Sequence, residues 1–145
     1  MTFPGTDEPI TAETMNTRGA GLLPGLVGLE VTAISDTEVS ARIALQRHHL
    51  APNGYLHAAV VVALADTACG YGALRSRPEG STGFTTIELK SNFLGTALEG
   101  AIACTARLVH SGRMTQIWDA TVVSEGTGKA IALFRCTQMM LYPRA

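Results

Sequence analysis

Apolar and polar residues alternate along much of the chain, and this alternation is typical of β-strands with one buried face. The six predicted strands cover residues 29–33, 38–45, 85–93, 101–110, 114–124 and 130–142. Ser111-Gly112 and Gly126-Thr127-Gly128 separate the last three segments and have the composition of tight hairpin turns. The pattern after residue 84 therefore predicts an antiparallel meander of long strands.

One segment, residues 57–74, is apolar on every side instead of alternating. Its only polar step is Asp66-Thr67, so a helix here has no obvious solvent face. A helix of this kind is buried in a protein or in a membrane, and a charged Asp66 within a run at the lower length limit argues against a membrane span. We predict an α+β fold in which a curved antiparallel sheet of about six strands wraps around one long central helix.

The N-terminal part has a different pattern. Residues 1–10 contain Pro4, Gly5 and Pro9 and are expected to be loose. Thr11 is a candidate cap for a short helix over residues 11–18, and the glycine-rich residues 19–28 are expected to form a loop. The predicted organisation is an N-terminal segment, 1–24, followed by a single domain, 25–145.

Composition and charge narrow the class of partner. The 145 residues carry a net charge of −1, which gives no electrostatic basis for binding nucleic acid or a membrane surface. Only 16 % of them are charged, a low share that favours an oligomer over a lone monomer. Three cysteines without metal-like spacing, and no signal peptide, favour a cytoplasmic protein with reduced thiols. No metal or cofactor motif is found, so we expect neither a metal nor a cofactor.

Asp66 is the first candidate for chemistry, because an ionised carboxylate among apolar residues is costly unless it is paired or opens onto a cavity. The free N–H groups at the helix start, near Ala58, could stabilise an oxyanion. A rise of about 1.5 Å per residue separates these two groups by roughly 12 Å along one helix, too far to act on one carbonyl group. Two antiparallel helices from two subunits would bring them together. Thr86, Lys90 and Asn92 are predicted on the polar face of the next strand.

The residues around the helix start also resemble a known signature. Asn53-Gly54-Tyr55-Leu56-His57-Ala58-Ala59, followed by Leu64-Ala65-Asp66-Thr67-Ala68, resembles that of hotdog-fold acyl-CoA thioesterases of the PaaI-like, 4-hydroxybenzoyl-CoA thioesterase-like group. The resemblance extends over residues 38–142 because the strand order matches as well. The chain departs from that pattern twice: Ala58-Ala59 replaces the usual Gly-Gly, and Ala51 stands where the family often has Asn.

The resemblance implies a role for each matching residue. Asp66 would attack the thioester or activate water, with Thr86 supporting the water. The Ala58 N–H would polarise the carbonyl, His57 would orient the helix start and Asn53 would place the carbonyl or the water. Asp66 and Thr86 would come from one subunit and the others from its partner. The residues expected to contact substrate are Gly54, Lys90, Asn92 and Arg113, the two basic ones through CoA phosphates.

The implied activity is hydrolysis of an acyl-CoA to a free acid and CoA by a homodimer at minimum, and more specifically a homotetramer. Two other functions stay open: an acyl-thioester hydratase or dehydratase, and a non-catalytic acyl-CoA binding protein. Asp66 could also be a structural residue that bonds a neighbouring group, and His57 could simply pack at the loop–helix junction.

Overall fold

The computed structural model describes residues 7–145, so the expectation for residues 1–6 lies outside it. Its helices are α1 (Ala12–Gly19), α2 (Leu23–Leu26) and α3 (Ala58–Arg75), with a 3₁₀ turn at Arg47–His49. Its strands are β1 (Leu29–Ile34), β2 (Glu38–Ala44), β3 (Gly83–Phe93), β4 (Ala101–Ser111), β5 (Thr115–Ser124) and β6 (Ala130–Leu141). All six predicted strands and both predicted helices are present, whereas α2 lies in the segment predicted to be a loop.

The six strands form one antiparallel sheet with the order β1-β2-β4-β5-β6-β3. Strands β4, β5 and β6 are the predicted meander. Strand β3 does not continue it, because β3 pairs with β6 at the edge of the sheet. The connection 94–100 is too long for a tight hairpin and returns the chain to β4, beside β2. The sheet therefore has two edges, β1 and β3.

The sheet curves around α3, as the apolar pattern of this helix predicts. The largest side chain of the core, Trp118, is fully buried under the helix. Gly70 and Gly72 let the sheet approach closely, since a Cβ atom at either position would overlap the ring of Phe84 or Trp118. By length and hydropathy α3 could cross a membrane, yet 56 % of it is buried inside the protein. This is the setting of a core helix.

One side of α3 is not covered by residues 7–145. Ala59 is exposed, and Ala63, Asp66 and Thr67 are half-buried. The expectation that the helix has no exposed face is therefore met only in part within one protomer. The side left open carries the one acidic residue of the helix.

Helix α1 closes one edge of the sheet. Thr11 caps it through a reciprocal pair of hydrogen bonds with Thr14. Asn16 then pairs with the backbone of Val31 in β1: its Nδ2 donates to the carbonyl oxygen at 3.0 Å, and its Oδ1 accepts from the N–H at 2.8 Å. Met15 is fully buried in the core. The side chain of Asn16 thus occupies backbone groups that a further strand would need at this edge.

Candidate active site

The start of α3 is capped by its own preceding residue. The Nδ1 atom of His57 accepts a hydrogen bond from the Ala59 N–H at 3.0 Å, and the His57 carbonyl accepts from Val60 at 3.0 Å. The N–H of Ala58 has no acceptor among residues 7–145. A free amide at the positive end of a helix can bind a carbonyl oxygen that becomes negative. His57 thus caps the helix start and leaves the Ala58 amide available.

The loop before α3 is held by its own hydrogen bonds. Asn53 Oδ1 accepts from the Tyr55 N–H at 3.2 Å, which forms an Asx turn. Gly54 has a φ of +88°, a left-handed conformation that favours glycine. Thr96 Oγ1 accepts from the Leu56 N–H at 3.3 Å and ties the loop to the segment after β3. The structure places Asn53 and Gly54 in an exposed turn four and three residues before His57.

Asp66 lies in a cluster with two polar side chains from the sheet. The hydroxyl oxygen of Thr86 is 3.0 Å from Asp66 Oδ1 and 2.9 Å from Gln138 Oε1. Burial raises the pKa of the Asp66 carboxyl above its ordinary value, and hydrogen bonds from Thr86 and Gln138 offset part of that rise. A carboxyl group in this setting can take up and release a proton closer to neutral pH than a free aspartate can.

A β-bulge in β3 decides which predicted residues meet Asp66. Thr86 pairs with Gln138 and Glu88 pairs with Thr137, so Ile87 is an extra residue between them. The bulge puts Thr86 on the helix side of the sheet. Lys90 and Asn92 were predicted to share the face of Thr86. They lie instead on the opposite, outer face of the sheet. The simple alternation predicted for this strand was wrong at this point.

The predicted substrate-binding residues Lys90, Asn92 and Arg113 make no hydrogen bond or ion pair with Asp66 within residues 7–145. Lys90 and Asn92 line a shallow cavity of about 270 Å³ on the outer face of the sheet. The neighbouring Arg135 is held by Asp119 through two hydrogen bonds. Arg113 lies in the β4–β5 turn, with its guanidinium group 5.1 Å from the centre of the Tyr142 ring. That these three residues contact the distal part of a long substrate stays a prediction.

An apolar cavity of about 540 Å³ adjoins the free amide of Ala58. Its walls come from the loop, the first turns of α3 and the end of β3. The lining residues are Tyr55, Leu56, Ala58, Val61, Phe93, Leu94, Gly95 and Thr96. A carbonyl group held at the helix start could therefore place an apolar substituent in this cavity.

Gln138 was missed at the level of sequence, although a signal for it was available. Phe134, Cys136 and Met140 of β6 alternate on the buried face, and Gln138 occupies the same face. A polar residue at a core position of a strand needs a partner, and that partner is the cluster around Asp66. His49, in the 3₁₀ turn before the loop that leads into α3, is buried, and its Nε2 atom lies 2.9 Å from the Val27 carbonyl oxygen.

A family model and the relatives found by sequence comparison indicate the same family. Residues 53–131 match the model of the Thioesterase superfamily. The chain is 30 % identical over 111 residues to a 1,4-dihydroxy-2-naphthoyl-CoA hydrolase of Listeria monocytogenes, covering 77 % of this chain and 89 % of that one. It is 26 % identical over 132 residues to the hydrolase of the same name from Escherichia coli, covering 91 % and 96 %.

A solved structure agrees with the fold. A thioesterase variant from Pseudomonas aeruginosa superposes with a TM-score of 0.84 at 24 % identity, over 90 % of this chain and 93 % of that one. The predicted hotdog arrangement, a six-stranded antiparallel sheet around a long central helix, is confirmed. The chain belongs to the thioesterase superfamily and is a thioester hydrolase of the hotdog fold.

Proposed function

We propose that this protein hydrolyses an acyl-CoA thioester to the free acid and CoA, at a site that two protomers share. Two observations together carry the proposal. Asp66 pairs with Thr86 on the uncovered side of α3, and the Ala58 amide, at the N-terminal end of the same helix, has no acceptor among residues 7–145. The CoA thioesters in the names of two relatives support the choice of substrate.

The chemistry follows from these two groups. The Ala58 N–H of one protomer binds the thioester oxygen and stabilises the negative charge that develops there. Asp66 of the other protomer removes a proton from water as the water oxygen bonds to the carbonyl carbon. The tetrahedral intermediate then collapses, the C–S bond breaks, and the proton passes to the CoA sulfur. If Asp66 attacks directly, its oxygen bonds to the carbonyl carbon, the C–S bond breaks and CoA leaves as the thiolate. Water then opens the mixed anhydride to release the free acid and restore Asp66, and its proton passes to the CoA sulfur. The same amide stabilises the oxyanion in both steps.

The dimer that this chemistry needs is favoured by the two sheet edges. Asn16 occupies the β1 edge, whereas β3, within residues 7–145, has a strand neighbour on one side only. Three apolar side chains of β3 are strongly exposed: Ile87 at 54 %, Leu89 at 42 % and Phe93 at 48 %. A second copy that pairs antiparallel along β3 would cover them and would set the two α3 helices antiparallel. Sedimentation should therefore show a dimer or a pair of dimers, the homotetramer.

The remaining groups support this reaction. In the proposal, Thr86 positions the attacking water beside Asp66, and Asn53 and Gly54 shape the approach to the helix start. Lys90 and Arg113 meet CoA phosphates, and Asn92 contributes a polar contact beside Lys90. The reaction requires no metal or cofactor, and its CoA substrate is consistent with a cytoplasmic enzyme.

The test is release of free CoA thiol from short, long and aromatic acyl-CoAs by the wild-type protein and by Asp66→Asn. Asn keeps the size of the side chain but is not a base, so kcat should fall by at least about 100-fold while the fold is retained. Near wild-type turnover by the variant would exclude this role of Asp66. Loss of the enoyl absorbance on incubation with an enoyl-CoA, without thiol release, would indicate a hydratase. Binding of acyl-CoA without any turnover would indicate a binding protein.

A further inference from the structure

A chain of hydrogen bonds runs from Asp66 into the core of the sheet. The Thr86 hydroxyl lies between Asp66 Oδ1, at 3.0 Å, and Gln138 Oε1, at 2.9 Å. On the other side of its amide group, Gln138 Nε2 donates to the Cys136 sulfur at 3.3 Å. Gln138 is fully buried, so each of its polar atoms depends on these protein partners.

The Thr86 hydroxyl has one proton and cannot donate to both acceptors at once. When it donates to Gln138, its oxygen can only accept from Asp66, which requires a protonated carboxyl group. When Asp66 is ionised, Thr86 donates to the carboxylate and Gln138 Oε1 loses its donor. An unpaired carbonyl oxygen in this buried position is costly.

Turning the Gln138 amide by half a rotation removes that cost. Nε2 then donates to the Thr86 oxygen, Thr86 donates to the ionised Asp66, and Oε1 accepts from the Cys136 thiol. The chain thus has two arrangements, one for each protonation state of Asp66, in which every link from Asp66 to Cys136 joins one donor to one acceptor. They differ in the direction of every donor and in the orientation of one amide group.

We propose that Gln138 is a positioning residue whose amide turns as Asp66 gains and loses its proton, so that Thr86 stays hydrogen-bonded to the carboxyl group in both states. The inference deepens the proposed hydrolysis and rests on it for its catalytic meaning. During turnover Asp66 takes a proton from water and gives one to the leaving sulfur. Gln138 keeps the carboxyl group in one place through both steps and stabilises its ionised form.

Within one protomer, no charged side chain among residues 7–145 shifts the pKa of Asp66. The causes that shift its pKa are burial and the two neutral side chains Thr86 and Gln138. The nearby thiol of Cys69 is uncharged at neutral pH, because its contact with Cys136 and its burial raise its pKa. The charges packed against α3 from other elements act elsewhere, Arg18 on Tyr71 and Asp36 on Arg75. Tyr71 and Arg75 lie five and nine residues after Asp66, toward the C-terminal end of the helix.

The chain offers a matched control for a test by mutation. Gln116 is the cross-strand neighbour of Gln138 in the sheet and is equally buried. Its amide group contacts Ser76 and Trp118 and does not contact Asp66. Gln116→Met and Gln138→Met therefore remove the same group from the same sheet, and only the second removes it from the Asp66 chain.

The experiment measures kcat against pH for both variants, with the acyl-CoA that the wild type turns over best. In Gln138→Met the acid limb should move to higher pH: kcat falls about three- to tenfold at the acid end, roughly the effect of one lost hydrogen bond, and the alkaline plateau stays unchanged. Gln116→Met should lower the melting temperature without moving the limb. An unmoved acid limb in Gln138→Met, or a loss that is equal at all pH values, would overturn the proposal.

A second measurement needs neither a folded variant of Gln138 nor any turnover. In ¹⁵N-labelled wild-type protein, the side-chain amide resonances of Gln138 should titrate with one midpoint, and this titration should vanish in Asp66→Asn. The Gln116 amide should stay unchanged. A Gln138 amide that is flat across the titration of Asp66 overturns the inference. If this titration is seen but no thioester is cleaved, the proposed function fails while the coupling within the chain stands.

Discussion

The Nδ1 atom of His57 accepts a hydrogen bond from the Ala59 N–H at 3.0 Å, so the residue just before the central helix caps it. Because Nδ1 is the acceptor, the proton of the neutral imidazole is on Nε2. Ser, Thr, Asp and Asn are the usual residues at this position, and histidine fills it here through a ring nitrogen. The cap fixes the helix turn from which the Ala58 amide projects.

Loss of this cap should cost both stability and turnover. His57→Ala is expected to lower the free energy of unfolding by about 1 kcal/mol, the typical value of a helix N-cap, and to lower kcat because the helix start is less ordered. His57→Asn restores an N-cap acceptor and should recover most of the stability. Urea denaturation of both variants measures the effect. Wild-type stability in His57→Ala would show that the imidazole cap contributes nothing.

Removal of the Ala58 amide proton can be tested with one substitution. Proline is favoured at the first position of a helix, and the φ of −68° and ψ of 129° at His57 suit a residue that precedes proline. Ala58→Pro should therefore fold but lose the oxyanion donor, with kcat reduced about 100-fold or more. Ala58→Gly keeps the N–H and serves as the control. Full turnover by Ala58→Pro would place the oxyanion donor elsewhere.

The contact between Gly72 and the Trp118 ring predicts a loss of stability on substitution. A methyl group at Gly72 would overlap the ring, and the core around it is fully buried, so Gly72→Ala should destabilise the protein by about 1–3 kcal/mol. Gly126 has no atom within 4 Å of an added Cβ, so Gly126→Ala is the matched control and should change little. Denaturation midpoints of the two variants measure the difference.

The raised pKa of Asp66 predicts that this residue destabilises the fold at neutral pH. Burial is the main cause, so the folded state binds the proton more tightly than the unfolded chain does. Stability should then fall as pH rises from the ordinary value of 3.8 through the higher value of the folded state. Asp66→Asn should be more stable than wild type at pH 7, and this gain should disappear below pH 3.8. A variant less stable than wild type at pH 7 would contradict this prediction.

Much of the fold was predictable from the sequence because burial leaves a regular pattern. The long meander strands alternate, and α3 is apolar on nearly every side, so the order of residues is enough to identify both. The short helix α2 was not predictable in the same way, since a single turn around Pro24 has no periodicity. The place of β3 at the sheet edge depends on a long connection that carries no pairing signal.

The candidate site was predictable only in part. The His57-to-Asp66 spacing predicted the helix residues of the site, which stay a prediction, and the structure places Thr86 within hydrogen-bond distance of Asp66. The bulge at Ile87 reverses the alternation of β3 and carries Lys90 and Asn92 to the outer face. Nothing in the composition of that strand indicates a bulge. Gln138 reaches the Asp66–Thr86 pair only because β6 pairs with β3, a contact between residues far apart in the sequence.

The shared site is tested most directly by complementation between two inactive variants. A heterodimer of Asp66→Asn and Ala58→Pro, purified through a different tag on each chain, contains one site with both defects and one site with none. If Asp66 of one protomer acts with Ala58 of its partner, this heterodimer should regain about half of wild-type turnover per dimer, because one of its two symmetry-related sites is intact. If each site lies within a single protomer, both sites stay broken and the heterodimer remains as inactive as its parents.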